Sequence, residues 1–487
     1  MAKAIMIQGT MSNVGKSLLC AALCRIFTQD GFRTAPFKSQ NMALNSYITS
    51  DGKEMGRAQA VQAEAAYIEP DVCMNPILLK PTNDTGSQVI VMGEAIGNMK
   101  ASEYYKQKRK FIPLIEEAYK KLSAENDIIV IEGAGSPAEI NLKENDIVNM
   151  GIARLFSSPV LLVGDVDRGG VFAQLVGTME LLEHDEKNYV KGLIINKFRG
   201  DKELLKSGID MLEKYCKKPV MGIVPYLNCD IDDEDSLSGR FKIKRTAGYV
   251  EIVVVKLRRI SNFTDFTALE CVDGVNLRYA DTVDEIRNPD MIILPGTKNT
   301  VGDMLTLREN GIEGRIKQLA SEGKIIFGIC GGFQMLGNSI TDMEGAETAG
   351  VYKGFGLINM NTVFDNEKKT ERVTGRINEI SGALRNLSDM EYSGYEIHMG
   401  KSGHDEVIMK GINNVYGTYV HGIFDKKEIC EETIKTLMSI KGIDSNNIRA
   451  FDMTEYKNRQ YDILADGVRE NLDMKAIYNI IKNGVVC

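Results

Sequence analysis

The chain reads as an α/β protein of two domains, each a mainly parallel sheet flanked by helices. Three observations predict this. Its 487 residues exceed what one hydrophobic core usually holds. Short β-branched runs alternate with helical patterns in both halves, as strands and crossover helices do. After Pro225 the stretch YLNCDIDDEDSLSGR, rich in acidic and small residues, interrupts that alternation. The expected organisation is a first domain over 1–230, a linker over 231–248, and a second domain over 249–487 that includes C-terminal helices.

The strand candidates of the first half are AIMIQ, RTAPF, DIIVIEG, PVLLVGD, GLIINK and PVMGIVP. Those of the second half are EIVVVKL, MIILPG, KIIFGIC, GFGLIN, YEIHMG and YGTYVHGIF. From Lys426 onward apolar residues recur at helical spacing, in EETIKTLMSI and LADGVRENLDMKAIYNIIK, and these helices are expected on the second sheet.

Composition excludes several classes. Apolar residues at 43% and charged residues at 26% match ordinary globular usage, so the chain can bury a core. A net charge of −8 with the signs interspersed offers no basic stripe for nucleic acid. The longest apolar runs, IIVI and IVVV, have strand length and predict no transmembrane helix. MAKAIMIQGT enters a strand directly, which leaves no room for a signal peptide and predicts a cytoplasmic protein. Nine scattered cysteines without a CxxC pair argue against disulfides and structural zinc. The acidic run from Asp230 to Asp235 reads as a solvated linker face.

IMIQGTMSNVGKSLLCAALCRIF has the order strand, glycine-bounded loop, helix that a phosphate loop requires. Backbone N–H groups there point at phosphate oxygens, Lys16 can reach the terminal phosphates, and the Ser17 hydroxyl can ligate Mg²⁺. Five residues separate Gly9 from Gly15, one more than the common form. A carboxylate at a neighbouring strand end should complete the metal site. Glu132 in DIIVIEG is the main candidate and Asp51 a second, although a strand-end acid can also cap a helix or pair with a base. Asn196, after GLIIN, can bond an adenine edge or shape a turn. Asp165, Asp167 and Arg168 stand at a strand end where substrate or phosphate contacts are expected.

KIIFGICGGFQMLG reads strand, sharp turn, helix, with Cys330 among Gly328, Gly331 and Gly332. Glycines allow the strained turn that exposes a nucleophile, and the helix start favours a thiolate. The Gly331 N–H can face an oxyanion, with Gly296 and Thr297 of LPGTKNT as a second donor loop. Of four histidines, His421 in YVHGIF is the expected base and His398 in GYEIHMG its competitor.

QGTMSNVGKS, FKSQNMALNSY, DGKEMGRAQ, IEGAGSPAEINL, GDVDRGGVFA, INKFRGD, LPGTKNT, GICGGFQMLG, GYEIHMG and YVHGIFD follow one another in this order. On these motifs, over almost its whole length, the chain resembles the cobyric acid synthases, glutamine amidotransferases of cobalamin biosynthesis. The resemblance implies a dethiobiotin-synthetase-like ATPase domain of P-loop type joined to a class I glutamine amidotransferase domain. It implies ATP and Mg²⁺ as cofactors, and a corrinoid, glutamine and ATP as small-molecule partners. By residue, it implies Cys330 as nucleophile, His421 as catalytic histidine, Gly9 to Ser17 (with Thr10, Asn13, Val14, Gly15 and Lys16) as phosphate loop, and Glu132 as strand-end acid. The reaction it implies amidates the b, d, e and g carboxylates of adenosylcobyrinic acid a,c-diamide. The wider amidotransferase class has an orienting Glu two residues after its histidine, where this chain has Ile423, so a full Cys-His-Glu triad is absent. The rival readings are a cobyrinic acid a,c-diamide synthase and a non-synthetic P-loop switch fused to a ligand-binding module.

Overall fold

The computed structural model describes residues 2–82, 86–231, 248–403, 408–445 and 448–485. Two compact units emerge. One comprises Met1–Ala43, Lys53–Asp235 and Lys457–Cys487, the other Leu44–Gly52 and Ser236–Tyr456. Most of the expected linker, and the acidic run from residue 232 on, lies outside the described residues.

In the first unit six parallel strands lie in the order Val220–Pro225, Val190–Phe198, Val160–Asp165, Lys3–Gly9, Ile128–Glu132 and Thr34–Phe37. A parallel sheet is covered on both faces, which is why IIVI and VLLV are continuous apolar runs rather than alternations. Lys3–Gly9 lies between Ile128–Glu132 and Val160–Asp165, with Ile7 paired to Glu132 and Gly9 to Val163. The phosphate loop and the Glu132 carboxylate therefore emerge together at the carboxyl ends of neighbouring strands, where open α/β sheets bind ligands.

Of the C-terminal helices, Lys427–Ile440 packs into the core of the second unit as expected, and the last two depart from expectation. Met453–Arg469 and Met474–Asn483 send Tyr461, Leu464, Ala465, Val468, Ile477 and Ile481 into the core that also holds Ile5, Leu23, Phe27 and Met221. They cover the first unit, not the second sheet. Helical periodicity reveals an apolar stripe but not which core receives it. The recipient is helix Lys16–Gln29, whose Arg25 is 0% exposed and donates to Asp462 at 2.8 Å and Asn458 at 3.2 Å.

The second unit has a six-stranded sheet in the order Val275–Ala280, Val250–Val255, Met291–Leu294, Ile325–Ile329, Val415–Thr418 and Met409–Ile412, parallel except for the last pair. A four-stranded mixed sheet includes the long hairpin of Asn361–Arg376 with Glu391–Lys401. GFGLIN, expected as a strand, is a loop. Phe355, Gly356 and Leu357 donate their backbone N–H groups to Met335, Gly337 and Leu336 at 2.8–2.9 Å. They satisfy the carbonyls left open where helix Gly331–Leu336 ends, a demand that no alternation pattern reveals.

Candidate active sites

The elbow of the second unit forms where Ile325–Ile329 gives way to helix Gly331–Leu336. Cys330 stands between them at φ +51°, ψ −109°, a turn conformation dominated by glycine. Its N–H donates to Thr418 O at 2.8 Å, and its carbonyl accepts from Gln334 at 3.0 Å. The flanking glycines are sterically required. A Cβ on Gly332 would lie 2.0 Å from Leu294 O, and one on Gly328 2.7 Å from the Phe333 backbone.

His421 is 1% exposed and lies just beyond strand Val415–Thr418. Its backbone exchanges hydrogen bonds with Tyr395, and Gly394 passes so close that a Cβ there would lie 2.2 Å from the His421 carbonyl. The Cys330 side chain lies near enough to the imidazole to raise its proton affinity. On the other side Nδ1 meets Asp265 Oδ2 at 2.7 Å, and Asp265 Oδ1 accepts the Gly422 N–H at 3.0 Å. Burial alone would depress the imidazole's proton affinity, but the Asp265 carboxylate and then Cys330 override it and push the pKa up to about 10. With Nδ1 committed to Asp265, the Nε2 face remains for the thiol, the division of roles found in triads.

Asp265 therefore fills the orienting position that sequence comparison left vacant. It arrives from the turn Phe263–Phe266, far from His421 in sequence, while Ile423 is wholly buried in the core. The competitor His398 is occupied elsewhere. Its Nδ1 pairs with Gly400 O at 2.8 Å, its Nε2 with Glu396 at 3.3 Å, and its ring stacks on Tyr419. The same strand contributes the Ile397 carbonyl, 3.5 Å from the Cys330 sulfur. The loop after Met291–Leu294 lies against the elbow. A Cβ on Gly331 would meet Thr297 Cγ2 at 2.9 Å, and one on Gly296 would meet His421 Cε1 at 2.9 Å. Thr297 is pinned by its hydroxyl, which donates to Asp303 at 2.5 Å.

In the first unit the phosphate loop turns through Asn13 at φ +61° and Gly15 at φ +94°. Lys16 curls back to donate to Met11 O at 3.0 Å and Gly135 O at 3.2 Å, and Thr10 Oγ1 donates to Gln174 at 3.1 Å. Val14 is buried, so what it offers is backbone. Its carbonyl accepts the Asn196 amide at 2.7 Å, which makes Asn196 a brace of the loop. Lys197 ties Asp165, at 3.1 Å, to the Asn13 carbonyl. Arg199 pairs with Asp167 at 3.0 Å and stacks on Tyr226.

Glu132 is buried and fully engaged. Oε1 accepts from Ser17 at 2.8 Å and Lys38 at 2.9 Å, and Oε2 accepts from Gln62 at 2.6 Å and Gln59 at 3.2 Å. Burial opposes its ionisation, but the Lys38 charge and these donors hold the carboxyl below its ordinary range. Asp51 falls in the second unit, where its carboxylate accepts the Thr49 hydroxyl at 2.5 Å. Lys38, Gln59, Gln62 and Asp265 are the residues that sequence reasoning missed. Lys38 and Gln59 sit in the FKSQNM and GRAQ motifs and Gln62 three residues further on, all as polar residues too buried for a surface role.

Among the described residues no helix is long and apolar enough to cross a membrane, and no cluster of three His, Cys, Asp or Glu side chains suits a metal. The family model of a CobQ/CobB/MinD/ParA nucleotide binding domain matches residues 5–236, and that of a CobB/CobQ-like glutamine amidotransferase domain matches residues 251–429. The chain is 56% identical over 506 residues to a cobyric acid synthase of Ruminiclostridium cellulolyticum, covering 100% of this chain and 98% of the relative. Identity is 55% over 514 residues to one of Lachnoclostridium phytofermentans, with full coverage of both. It is 48% over 504 residues to one of a Thermoanaerobacter species, covering 99% of each. With a nucleotide-binding module, a glutaminase module and end-to-end similarity to these relatives, the chain belongs to the cobyric acid synthase family of ATP-dependent, glutamine-hydrolysing amide ligases.

Proposed function

We propose that the chain converts the b, d, e and g carboxylates of adenosylcobyrinic acid a,c-diamide into amides, one ATP and one glutamine per carboxylate, to give adenosylcobyric acid. The reading is supported above all by the Cys330–His421–Asp265 arrangement, which occurs in the same chain as a phosphate loop.

Cys330 attacks the glutamine side-chain amide while His421 takes the thiol proton and returns it to the departing ammonia. Water then cleaves the thioester and releases glutamate. Gly331 N–H, with the Gly296–Thr297 loop, faces the oxyanion of that step. Asp265 keeps the imidazole oriented and stabilises its protonated form. In the first unit the substrate carboxylate takes the γ-phosphoryl group from ATP, because a carboxylate oxygen must become a good leaving group before ammonia can displace it. Ammonia attacks the acyl phosphate, and inorganic phosphate leaves.

The Gly9–Ser17 loop, with Lys16, holds the phosphates. Ser17 Oγ and the Glu132 carboxylate, 2.8 Å apart and both hard oxygen donors, fit Mg²⁺. That ion would neutralise phosphate charge there. We place the enzyme in the cytoplasm, where ATP and glutamine are available.

Mass spectrometry of the corrinoid after incubation with Mg²⁺, ATP and glutamine tests the reading. Four carboxyl-to-amide steps are expected, and a Cys330→Ala variant should retain them with ammonia but lose them with glutamine. Amidation at only two positions, or none with either donor, would overturn it.

A further inference from the structure

Several exposed cations of the first unit stand beside an acid. Arg33 pairs with Asp127 at 2.7 Å, Lys121 with Asp71 at 2.8 Å, Arg154 with Asp185 at 2.6 Å and Arg199 with Asp167 at 3.0 Å. One stretch breaks that habit. Residues 100–111, KASEYYKQKRKF, carry five cations and one acid in a chain whose net charge is −8. Lys100, Lys106, Arg109 and Lys110 are exposed, and Lys108 is buried. Among the described residues none of these five pairs with a carboxylate.

The stretch is folded and anchored, as helix Ala101–Gln107 and the turn Lys108–Phe111. Tyr104 is buried, stacks on Phe111 with ring centroids 6.2 Å apart, and donates its hydroxyl to Gln40 Oε1 at 2.7 Å. Gln40 lies two residues beyond Lys38, whose ammonium rests on Glu132. At the other end the Lys108 ammonium lies over the Tyr105 ring, 4.6 Å from its centroid. Burial lowers the proton affinity of that lysine, and the nearby Asp146 carboxylate works against the loss. Asp146 closes the loop that leaves strand Ile128–Glu132, and its carboxylate accepts the N–H groups of Val148, Asn149 and Gly151 at 2.8–2.9 Å. The cations are thus held against two lengths of chain that leave the edge where Ser17 and Glu132 meet.

Like charges crowded on one short segment repel one another, and here no neighbouring carboxylate relieves them, so the segment suits a ligand that brings several anionic groups of its own. A substrate with many carboxylates is such a ligand. We propose that residues 100–111 form the surface that gathers the carboxylates of the corrinoid beside Glu132, with Lys106, Arg109 and Lys110 as its exposed contacts. Each amidation replaces a carboxylate by a neutral amide, so the substrate loses one negative charge per round. The surface therefore grips the least amidated corrinoid best and the finished product least. Charge complementarity of this kind selects the partner and speeds its arrival.

The inference rests on the proposed function. Calorimetry on the full-length enzyme measures its affinity for adenosylcobyrinic acid a,c-diamide, for adenosylcobyric acid and for a non-hydrolysable ATP analogue. An exposed ion pair changes affinity by about fivefold at most, so several acting together are needed for a large effect. In wild type the diamide should bind roughly tenfold more tightly than the product, and added salt should narrow that gap. The combined variant Lys106→Glu, Arg109→Glu and Lys110→Glu alters only exposed side chains. It should weaken the diamide by roughly tenfold, move the product by less than about threefold, and leave the ATP analogue as in wild type. Glutamine at the same three positions should give an intermediate loss, and it carries the test if the charge-reversed chain does not fold. A gap between diamide and product that survives both variants would overturn the proposal. An equal loss for the ATP analogue would assign the cations to its phosphates and would overturn it too. Either result leaves amidation by wild type untouched. A wild-type enzyme that amidates no corrinoid would instead strike the proposed function, and this inference with it.

Discussion

Two turns of this molecule share one plan and differ at one residue. Both run from a parallel strand through a tight loop into a helix at the carboxyl edge of a sheet. At the phosphate loop the positive φ angles fall on Asn13 and Gly15, residue types that tolerate them. At the elbow the positive φ falls on Cys330 itself. The difference follows from what each site presents. A phosphate loop acts through backbone N–H groups, so its strained positions need no side chain. An elbow must project its nucleophile from the sharpest point of the turn, so the strain falls on the residue that performs the chemistry.

The largest effect should come from the support behind the elbow. Asp265→Asn should lower glutamine-dependent turnover by on the order of 10³-fold or more by unsettling the imidazole tautomer, while ammonia-dependent turnover holds. The same pair has a pH signature. The His421 pKa is raised from 6.5 to about 10, so the stabilisation from its protonated form is fully present below pH 6.5 and is lost as pH rises through 10. The gap in thermal midpoint between wild type and Asp265→Asn should therefore narrow across that window, and a gap that widens would show that the imidazole is neutral in the folded state.

Next in size is the phosphate loop. A methyl group on Gly15 would lie 2.3 Å from the Asn196 amide at φ +94°, so Gly15→Ala must shift the N–H groups from the phosphates. Nucleotide affinity should fall by roughly tenfold or more, measured by titration calorimetry. The smallest effect sharpens the contrast most. Cys330→Gly should be more stable than Cys330→Ala by about 1 kcal/mol in denaturant midpoints, because glycine alone relieves the turn. If the two variants are equally stable, the elbow is not strained and the comparison between the turns fails.

How much of this was legible in the sequence depends on distance along the chain. The phosphate loop and the elbow are local motifs, each complete within one strand, turn and helix, so that order, with its glycines, pointed to Lys16, Ser17 and Cys330. Glu132 could be read because strand ends in a parallel sheet gather at one edge. Asp265 could not, because nothing near it in sequence marks a carboxylate that will meet His421 from another turn. Lys38, Gln59 and Gln62 looked like ordinary polar residues until burial against Glu132 explained them. GFGLIN misled because alternating glycine and apolar residues serve equally to wrap a helix end. The destination of the last helices was hidden for a similar reason, since an amphipathic stripe carries no address.

That destination bears on how the molecule is made. The helix carrying Arg25 is synthesised before the second unit, yet Asn458 and Asp462, which receive its guanidinium, and Leu464 and Val468, which join the same core, are synthesised after that unit. Domains generally fold in the order in which they are made. Here the first unit must wait with part of its core incomplete while the second completes itself. Chains halted at residue 456 should accordingly be cut by protease within residues 16–29 while their glutaminase unit resists. The amino-terminal half of the enzyme is thus the last part to be finished, and it comes under protection only when synthesis of the glutaminase is already over.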